Sequence, residues 1–202
     1  MIAVIDYGMG NLCSVVNALK YLRCDAIISR KPEDLEKSSH IILPGVGAFG
    51  DGIRNLRGMG ILPSLEREVL DKKKPLLGIC LGMQMLAERG FEGGEFEGLG
   101  WVSGSVKKME TCGLKLPHMG WNDIGVVQRD PLFTGLGDDR NFYFVHSFHL
   151  DCPEENVIAW CEYGQRFAAA VRKDNIFATQ FHPEKSHLVG SIVLRNFINF
   201  RG

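Results

Sequence analysis

The stretch "KPLLGICLGMQMLAERG", residues 74–90, sets an apolar run, a glycine-flanked cysteine and a helical pattern in immediate succession. "PLLGIC" reads as a buried strand, and "LGMQMLAER" reads as a helix stopped by Gly90. Between them, Gly78-Ile79-Cys80-Leu81-Gly82 has the G-x-nucleophile-x-G form of a nucleophile elbow. A sharp strand-to-helix turn forces strained backbone angles on its central residue, and flanking glycines remove the side chains that would collide there. Cys80 is then held up and out. The helix behind it points its first N–H groups at the sulfur, which favours thiolate over thiol. A buried cysteine is otherwise inert filler. In a chain with 24 glycines the pentapeptide alone is a weak signal, so the rest of the sequence must supply its partners.

Upstream of the elbow, strand and helix alternate. "MIAVIDY" is an apolar strand and "GMGN" a turn. "NLCSVVNALKYL" carries apolar residues at helical spacing with Asn11 as N-cap. "DAIISR" and "HIILPGVGAFG" are further strands, and "GILPSLEREVLDKK" is an amphipathic helix. This alternation predicts a parallel sheet covered on both faces. After about residue 95 the rhythm changes to short strands separated by turns: "GWVSGSVKKME", "KLPHMGWNDIGVV", "NFYFVHSFHL", "VIAWCEYG", "FAAAVRKD" and "IFATQFHPE". "LVGSIVLRNFINF" closes the chain as a helix. The expected fold is α/β, a mostly parallel central sheet flanked by helices with added antiparallel strands in the C-terminal half. No linker, repeat or low-complexity joint interrupts residues 1–202, which predicts a single domain.

Composition excludes several functions. With 202 residues, 45% hydrophobic and 23% charged, the chain is long enough to bury a substantial core. A net charge of -1 leaves no electrostatic footprint for nucleic acid or an anionic membrane. No apolar run approaches a bilayer span, and "MIAVIDYGMG" lacks the basic n-region of a signal peptide. The six cysteines form no C-x-x-C pair, which predicts a reducing, cytoplasmic setting.

A thiolate needs a base, and the base needs an orienter. "QFHPEKS" offers both, His182 and Glu184, two residues apart at the end of a β-rich run, where period-two geometry sends alternate residues to one face. A Cys80-His182-Glu184 relay follows. "LPGVGAFGDG", residues 43–52, leaves a strand of the same parallel half, so it reaches the sheet edge where the elbow lies. Pro44 and the glycines permit a peptide N–H to turn toward a developing oxyanion, with the Leu81 N–H as second donor.

Together, "PGVGAFGDG", "GICLGMQML" and "FHPEKS" resemble the class I (triad) glutamine amidotransferases, a flavodoxin-like three-layer fold. "DYGMGNLCSV", "GLGW", "LPHMGWN" and "YFVHSF" narrow the resemblance to the glutaminase subunits that serve imidazole glycerol phosphate synthesis in the histidine pathway. The match runs over essentially the whole chain. It implies that Cys80 attacks the side-chain amide of L-glutamine and that Val46, Gly47 and Leu81 build the oxyanion site. It also implies that Gln84, Ser147 and Phe148 hold the substrate. No cofactor or metal is implied. The implied partner is a (β/α)8-barrel cyclase subunit that receives the ammonia, with Asn11, Tyr143, His146 and Lys185 toward it. The family further implies weak glutaminase activity until the partner carries its ligand.

Other signals lead elsewhere. "YGMGNLCS" lacks the third glycine of a dinucleotide loop, with Cys13 in its place. "HSFH" puts His146 and His149 on opposite faces of a strand, which is poor for zinc. "DKKK", residues 71–74, reads as a solvated helix end. Trp101 and Trp121 read as core or interface anchors in apolar strands. A paralogous amidotransferase that feeds an amidino-sugar synthase is the alternative, suggested by Phe148 and His187 at positions where the histidine-pathway subunits more often carry tyrosine and glutamine. Thiol peptidases with a similar elbow commonly place histidine directly after the cysteine, where this chain has Leu81. The intact triad argues against a non-enzymatic subunit.

Overall fold

The structure, a computed structural model, describes residues 1–127 and 129–201. The first half alternates as expected: β1 (Ile2–Ile5), α1 (Leu12–Tyr21), β2 (Ala26–Ser29), α2 (Pro32–Lys37), β3 (His40–Gly45), α3 (Phe49–Gly58), α4 (Leu62–Glu66), β4 (Leu76–Cys80) and α5 (Leu81–Met85). A π-helical turn at Arg67–Asp71 extends α4. The second half adds β5 (Arg89–Gly90), β6 (Phe96–Glu97), β7 (Ser105–Lys108), β8 (His118–Val126), β9 (Asn141–His146), β10 (Phe148–Asp151), β11 (Val157–Tyr163), β12 (Gln165–Lys173), β13 (Ile176–Thr179) and α6 (His187–Asn199).

Among the described residues, nine strands form the main sheet in the order β2-β1-β3-β4-β13-β12-β11-β8-β9. The first five are mutually parallel and the remainder antiparallel. Burial follows this division. Every residue of β1, β3, β4 and β13 is buried, as strands covered on both faces require. Strand β9 alternates half-buried and buried residues. Val15, Leu19, Val193 and Phe197 of α1 and α6 pack in one apolar cluster, and Leu35, Phe49, Leu56 and Met85 of α2, α3 and α5 pack in the other. Each fully buried Leu or Phe contributes about 1.5–3 kcal/mol, so these contacts fix the helices on the sheet.

The last strand decides where the site lies. After the antiparallel excursion the chain returns beside β4, aligning Ile176–Thr179 with Leu76–Ile79. On the other side of β4, Gly45 pairs with Cys80. The C-terminal ends of β3, β4 and β13 are therefore neighbours, and the "PGVG" loop, the elbow and "QFHPE" leave from one edge.

Several local expectations are corrected. The helix expected over 81–89 ends at Met85, because chain returning from residue 99 takes its carbonyls. Leu99 N–H donates to Met85 O at 2.9 Å, and the Trp101 and Val102 N–H groups donate to Leu86 O. Arg89–Gly90 instead joins a four-stranded sheet, β10-β7-β5-β6. Trp101 is buried in this return loop, outside any strand, whereas Trp121 on β8 is 45% exposed and stacks on His187. "NFYFVHSFHL" breaks at Ser147, sending β9 to the large sheet and β10 to the small one. Asn11 occupies the N-cap position of α1 without a side-chain capping bond. "DKKK" is not simply solvated. Lys72 and Lys74 reach the buried Glu68 at 2.7 and 2.8 Å, and Lys74 is itself largely buried. Burial pushes Glu68 up, but the lysine hydrogen bonds prevail and hold it below the usual carboxylate range.

Candidate active site

Cys80 ends β4 with φ 53° and ψ -108°, a conformation that costs a non-glycine residue about 1–3 kcal/mol. Close packing of backbone on backbone holds it there. A Cβ on Gly82 would fall on the Leu43 carbonyl, and one on Gly78 would meet the backbone of Gly82 and Met83 at 3.0 Å. The elbow is thus wedged between β3 and the first turn of α5, with Cys80 only 6% exposed.

His182 is buried, and its Nδ1 lies 2.8 Å from Glu184 Oε1. The pair does not arise from strand periodicity. Strand β13 stops at Thr179, and Pro183–Lys185 forms a 3-10 turn that swings Glu184 back under the ring. The turn is pinned to β9: His182 N–H donates to Tyr143 O at 2.9 Å, Tyr143 N–H donates to Ser186 Oγ at 3.0 Å, and that hydroxyl donates to His182 O at 2.6 Å. Burial opposes charge on His182, but the Cys80 sulfur and the Glu184 carboxylate more than offset it, raising the imidazole to about 10. Both partners favour the charged form of the ring. Glu184 engages Nδ1, and the buried Nε2, which closes no hydrogen bond among the described residues, is the nitrogen left for the Cys80 sulfur that raises the ring.

A cavity of about 470 Å³ is lined by Val46, Gly47, Ala48, Cys80, Leu81, Gln84, Glu92, Pro117, Val145, His146, Ser147 and Phe148. It gathers the sulfur with every residue expected for the oxyanion site and the substrate. Gly47, at φ 107°, takes a backbone that side chains rarely adopt. A surface hollow of similar volume, bordered by Tyr21, Glu184 and Leu188, does not include the sulfur. Of the four residues expected toward a partner, Asn11 is exposed, and Lys185 Nζ stands 5.6 Å from the centre of the half-buried Tyr143 ring. His146 is only 6% exposed and faces the cavity instead.

Other residues at the site gave no sequence signal. Glu92 sits in the cavity wall, where its Oε2 accepts the Phe49 N–H at 2.8 Å. Gln180 is fully buried and donates from Nε2 to Cys80 Sγ at 3.7 Å. The Tyr7 hydroxyl fills the space that a Gly45 Cβ would occupy, and burial, with Cys80 adding to it, lifts it well above the usual tyrosine range.

A strained cysteine elbow, a buried His-Glu pair and a glycine-rich loop thus meet at one edge of the main sheet. The family model for class-I glutamine amidotransferases matches residues 3–199, and the chain belongs to that family, among its imidazole glycerol phosphate synthase HisH subunits. It is 50% identical over 198 residues to imidazole glycerol phosphate synthase subunit HisH 1 of Campylobacter jejuni, covering 98% of each chain. It is 45% identical over 200 residues to subunit HisH 2 of Pseudomonas aeruginosa, again covering 98% of each. A crystal structure of a glutamine amidotransferase superposes with a TM-score of 0.73 at 24% identity, covering 98% of this chain and 97% of the other, and so shares the fold.

Proposed function

We propose that this chain is the glutaminase subunit of an imidazole glycerol phosphate synthase. Residues 1–202 act as one amidotransferase domain in the cytoplasm, where the six free thiols suit a reducing medium. The subunit hydrolyses L-glutamine to glutamate and passes ammonia to a (β/α)8-barrel cyclase subunit, which makes imidazole glycerol phosphate and an aminoimidazole carboxamide ribotide. The observation that carries the chemistry is Cys80, strained at φ 53°, together with a buried His182 held by Glu184 at 2.8 Å.

Glutamine lies in the cavity with its side-chain amide over the sulfur. Gln84, Ser147 and Phe148 hold its main-chain end, and the Glu92 carboxylate complements its α-ammonium group. Cys80 attacks as thiolate. The charge that develops on the amide oxygen is met by the Gly47 and Leu81 N–H groups, and one such donor is worth about 10²–10³ in rate. His182 delivers its Nε2 proton to the departing nitrogen, and ammonia leaves a glutamyl thioester. The neutral ring then takes a proton from water, whose oxygen attacks the thioester. Glutamate departs, and the thiolate and imidazolium are restored. Glu184 holds the ring's orientation and its charge throughout, and acid–base catalysis of this kind contributes about 10²–10⁴.

Ammonia released into water at neutral pH becomes ammonium and loses its nucleophilicity, so it must travel enclosed to the acceptor. Asn11, Tyr143 and Lys185 form the partner face, joined by the exposed Trp121 and Met119 of β8. The relatives' names support the histidine pathway. Neither names an amidino-sugar acceptor, and the departures at Phe148 and His187 leave the triad untouched.

The test is to incubate the chain, its ligand-loaded barrel partner and glutamine, and to measure glutamate. Cys80→Ala abolishes release, and activity that survives this change removes the proposed nucleophile. For the pathway, expression of both subunits restores growth of a histidine auxotroph. Continued auxotrophy despite soluble expression of both would overturn that assignment.

A further inference from the structure

Beside the cavity, two buried histidines that the triad chemistry does not use touch each other. His118 Nδ1 lies 3.0 Å from His146 Nε2. The two ends of this pair fix its protons independently. At one end, Asn122 Oδ1 accepts the Asp123 N–H at 2.9 Å while its Nδ2 donates to Glu162 O at 2.9 Å, so the amide can face only one way. That Nδ2 also lies 3.2 Å from His118 Nε2, which must accept. The His118 proton is therefore on Nδ1. At the other end, His146 Nδ1 lies 2.8 Å from Phe148 O, a carbonyl that only accepts, so His146 also carries its proton on Nδ1. The two assignments meet at the 3.0 Å contact as one donor and one acceptor. Reversing either would set two protons or two lone pairs face to face.

Both rings are neutral, burial holding His118 down to about 4 and His146 to about 3. His118 is clamped between Phe144 and Tyr163, with ring centroids 4.8 and 4.2 Å away. The polarity continues into the site. Phe148 O accepts a second bond, from Gln84 Nε2 at 2.9 Å. The other hydrogen of that amide goes to Gln180 Oε1 at 3.0 Å, which turns Gln180 Nε2 toward the Cys80 sulfur.

We propose that His118 and His146 are positioning residues, a neutral pair with matched tautomers that fixes the Phe148 carbonyl and, through it, Gln84 in the glutamine pocket. The inference rests on the reading of Cys80 as the glutamine-hydrolysing nucleophile. It gives His146 a role inside the cavity and none at the partner face.

Two measurements test it. ¹⁵N NMR of the labelled full chain near neutral pH is expected to find both imidazoles neutral and protonated on Nδ1. A proton on Nε2 of either ring, or a charged ring, overturns the assignment. In the glutaminase assay with ligand-loaded partner, His118→Phe keeps the aromatic clamp but removes the donor. Glutamine KM is expected to rise about tenfold with kcat within about threefold, the effect of one buried group left unpaired. His118→Asn places an amide N–H near the lost Nδ1–H and is expected to restore KM to within about threefold of the unmodified chain. An unchanged KM in His118→Phe, or no recovery in His118→Asn, overturns the proposal. Should His118→Phe fail to fold, the NMR result and the His118→Asn kinetics still decide. Failure of the glutaminase reading is separately visible, as glutamate release that survives Cys80→Ala.

Discussion

The parallel and antiparallel halves of the main sheet contribute to one cavity by different means. The parallel half presents Cys80 and the "PGVG" loop through backbone geometry: strands buried on both faces, glycines that let β3 and α5 close on β4, and one strained residue. The antiparallel half works through side chains and hydrogen bonds. Strand β9 pins the His182 turn, and the polar chain from Asn122 sets Phe148 and Gln84. A nucleophile under strain needs a rigid seat, whereas a substrate pocket needs directional polar groups, and the sheet divides the two tasks along its width.

Mutations placed in the two halves should separate these roles. The largest effect is expected at the nucleophile. Cys80→Ala lowers glutamate release by at least about a thousandfold in the partner-activated assay, while its stability, read from urea unfolding, stays within about 1 kcal/mol of the unmodified chain. Next comes the seat itself. Gly82→Ala drives a methyl group into the Leu43 carbonyl and costs more than about 3 kcal/mol, or prevents folding, by the same measurement. Glu184→Gln keeps the shape but removes the charge beside His182, and kcat falls about a hundredfold. A loss below about threefold would mean that the carboxylate does not hold the ring.

The same pair governs a pH dependence. The folded pKa of His182 is raised to about 10 from an ordinary value of 6.5. Its stabilising contribution is therefore fully present below pH 6.5 and is lost as pH rises through about 10. The urea midpoint of the unmodified chain should exceed that of Glu184→Gln at pH 6, with the gap closing toward pH 10. A gap that widens with pH contradicts the imidazolium. The smallest effect is expected on β8. A Cβ on Gly125 meets nothing within 4 Å, so Gly125→Ala changes stability by no more than about 0.5 kcal/mol. A large loss there would erase the distinction between the halves.

Legibility in the sequence follows the same division. Continuous apolar runs mark the parallel strands, and the glycines around Cys80 mark the elbow, because both signals are local. His182 and Glu184 are readable as a pair, although a 3-10 turn and not strand alternation joins them. Contacts between distant segments leave no such trace. Helix α5 ends early because residues 99–102 return to cap it. Lys74 is drawn largely out of solvent because the buried Glu68 pairs with it. Glu92, Gln180 and His118 are ordinary polar residues until the fold aims them. The resemblance sets His146 toward the partner, whereas its burial depends on where β9 pairs with β8.

The late return of β13 to the side of β4 has a consequence for synthesis. Until residues 182–184 have been made and folded, the polypeptide holds its sulfur without the imidazole–carboxylate pair that serves it. Hydrolysis therefore waits on pairing between segments a hundred residues apart, which is the slow kind of folding event. The sulfur gains its catalytic partners only when the segment from β13 through Glu184 has settled beside β4.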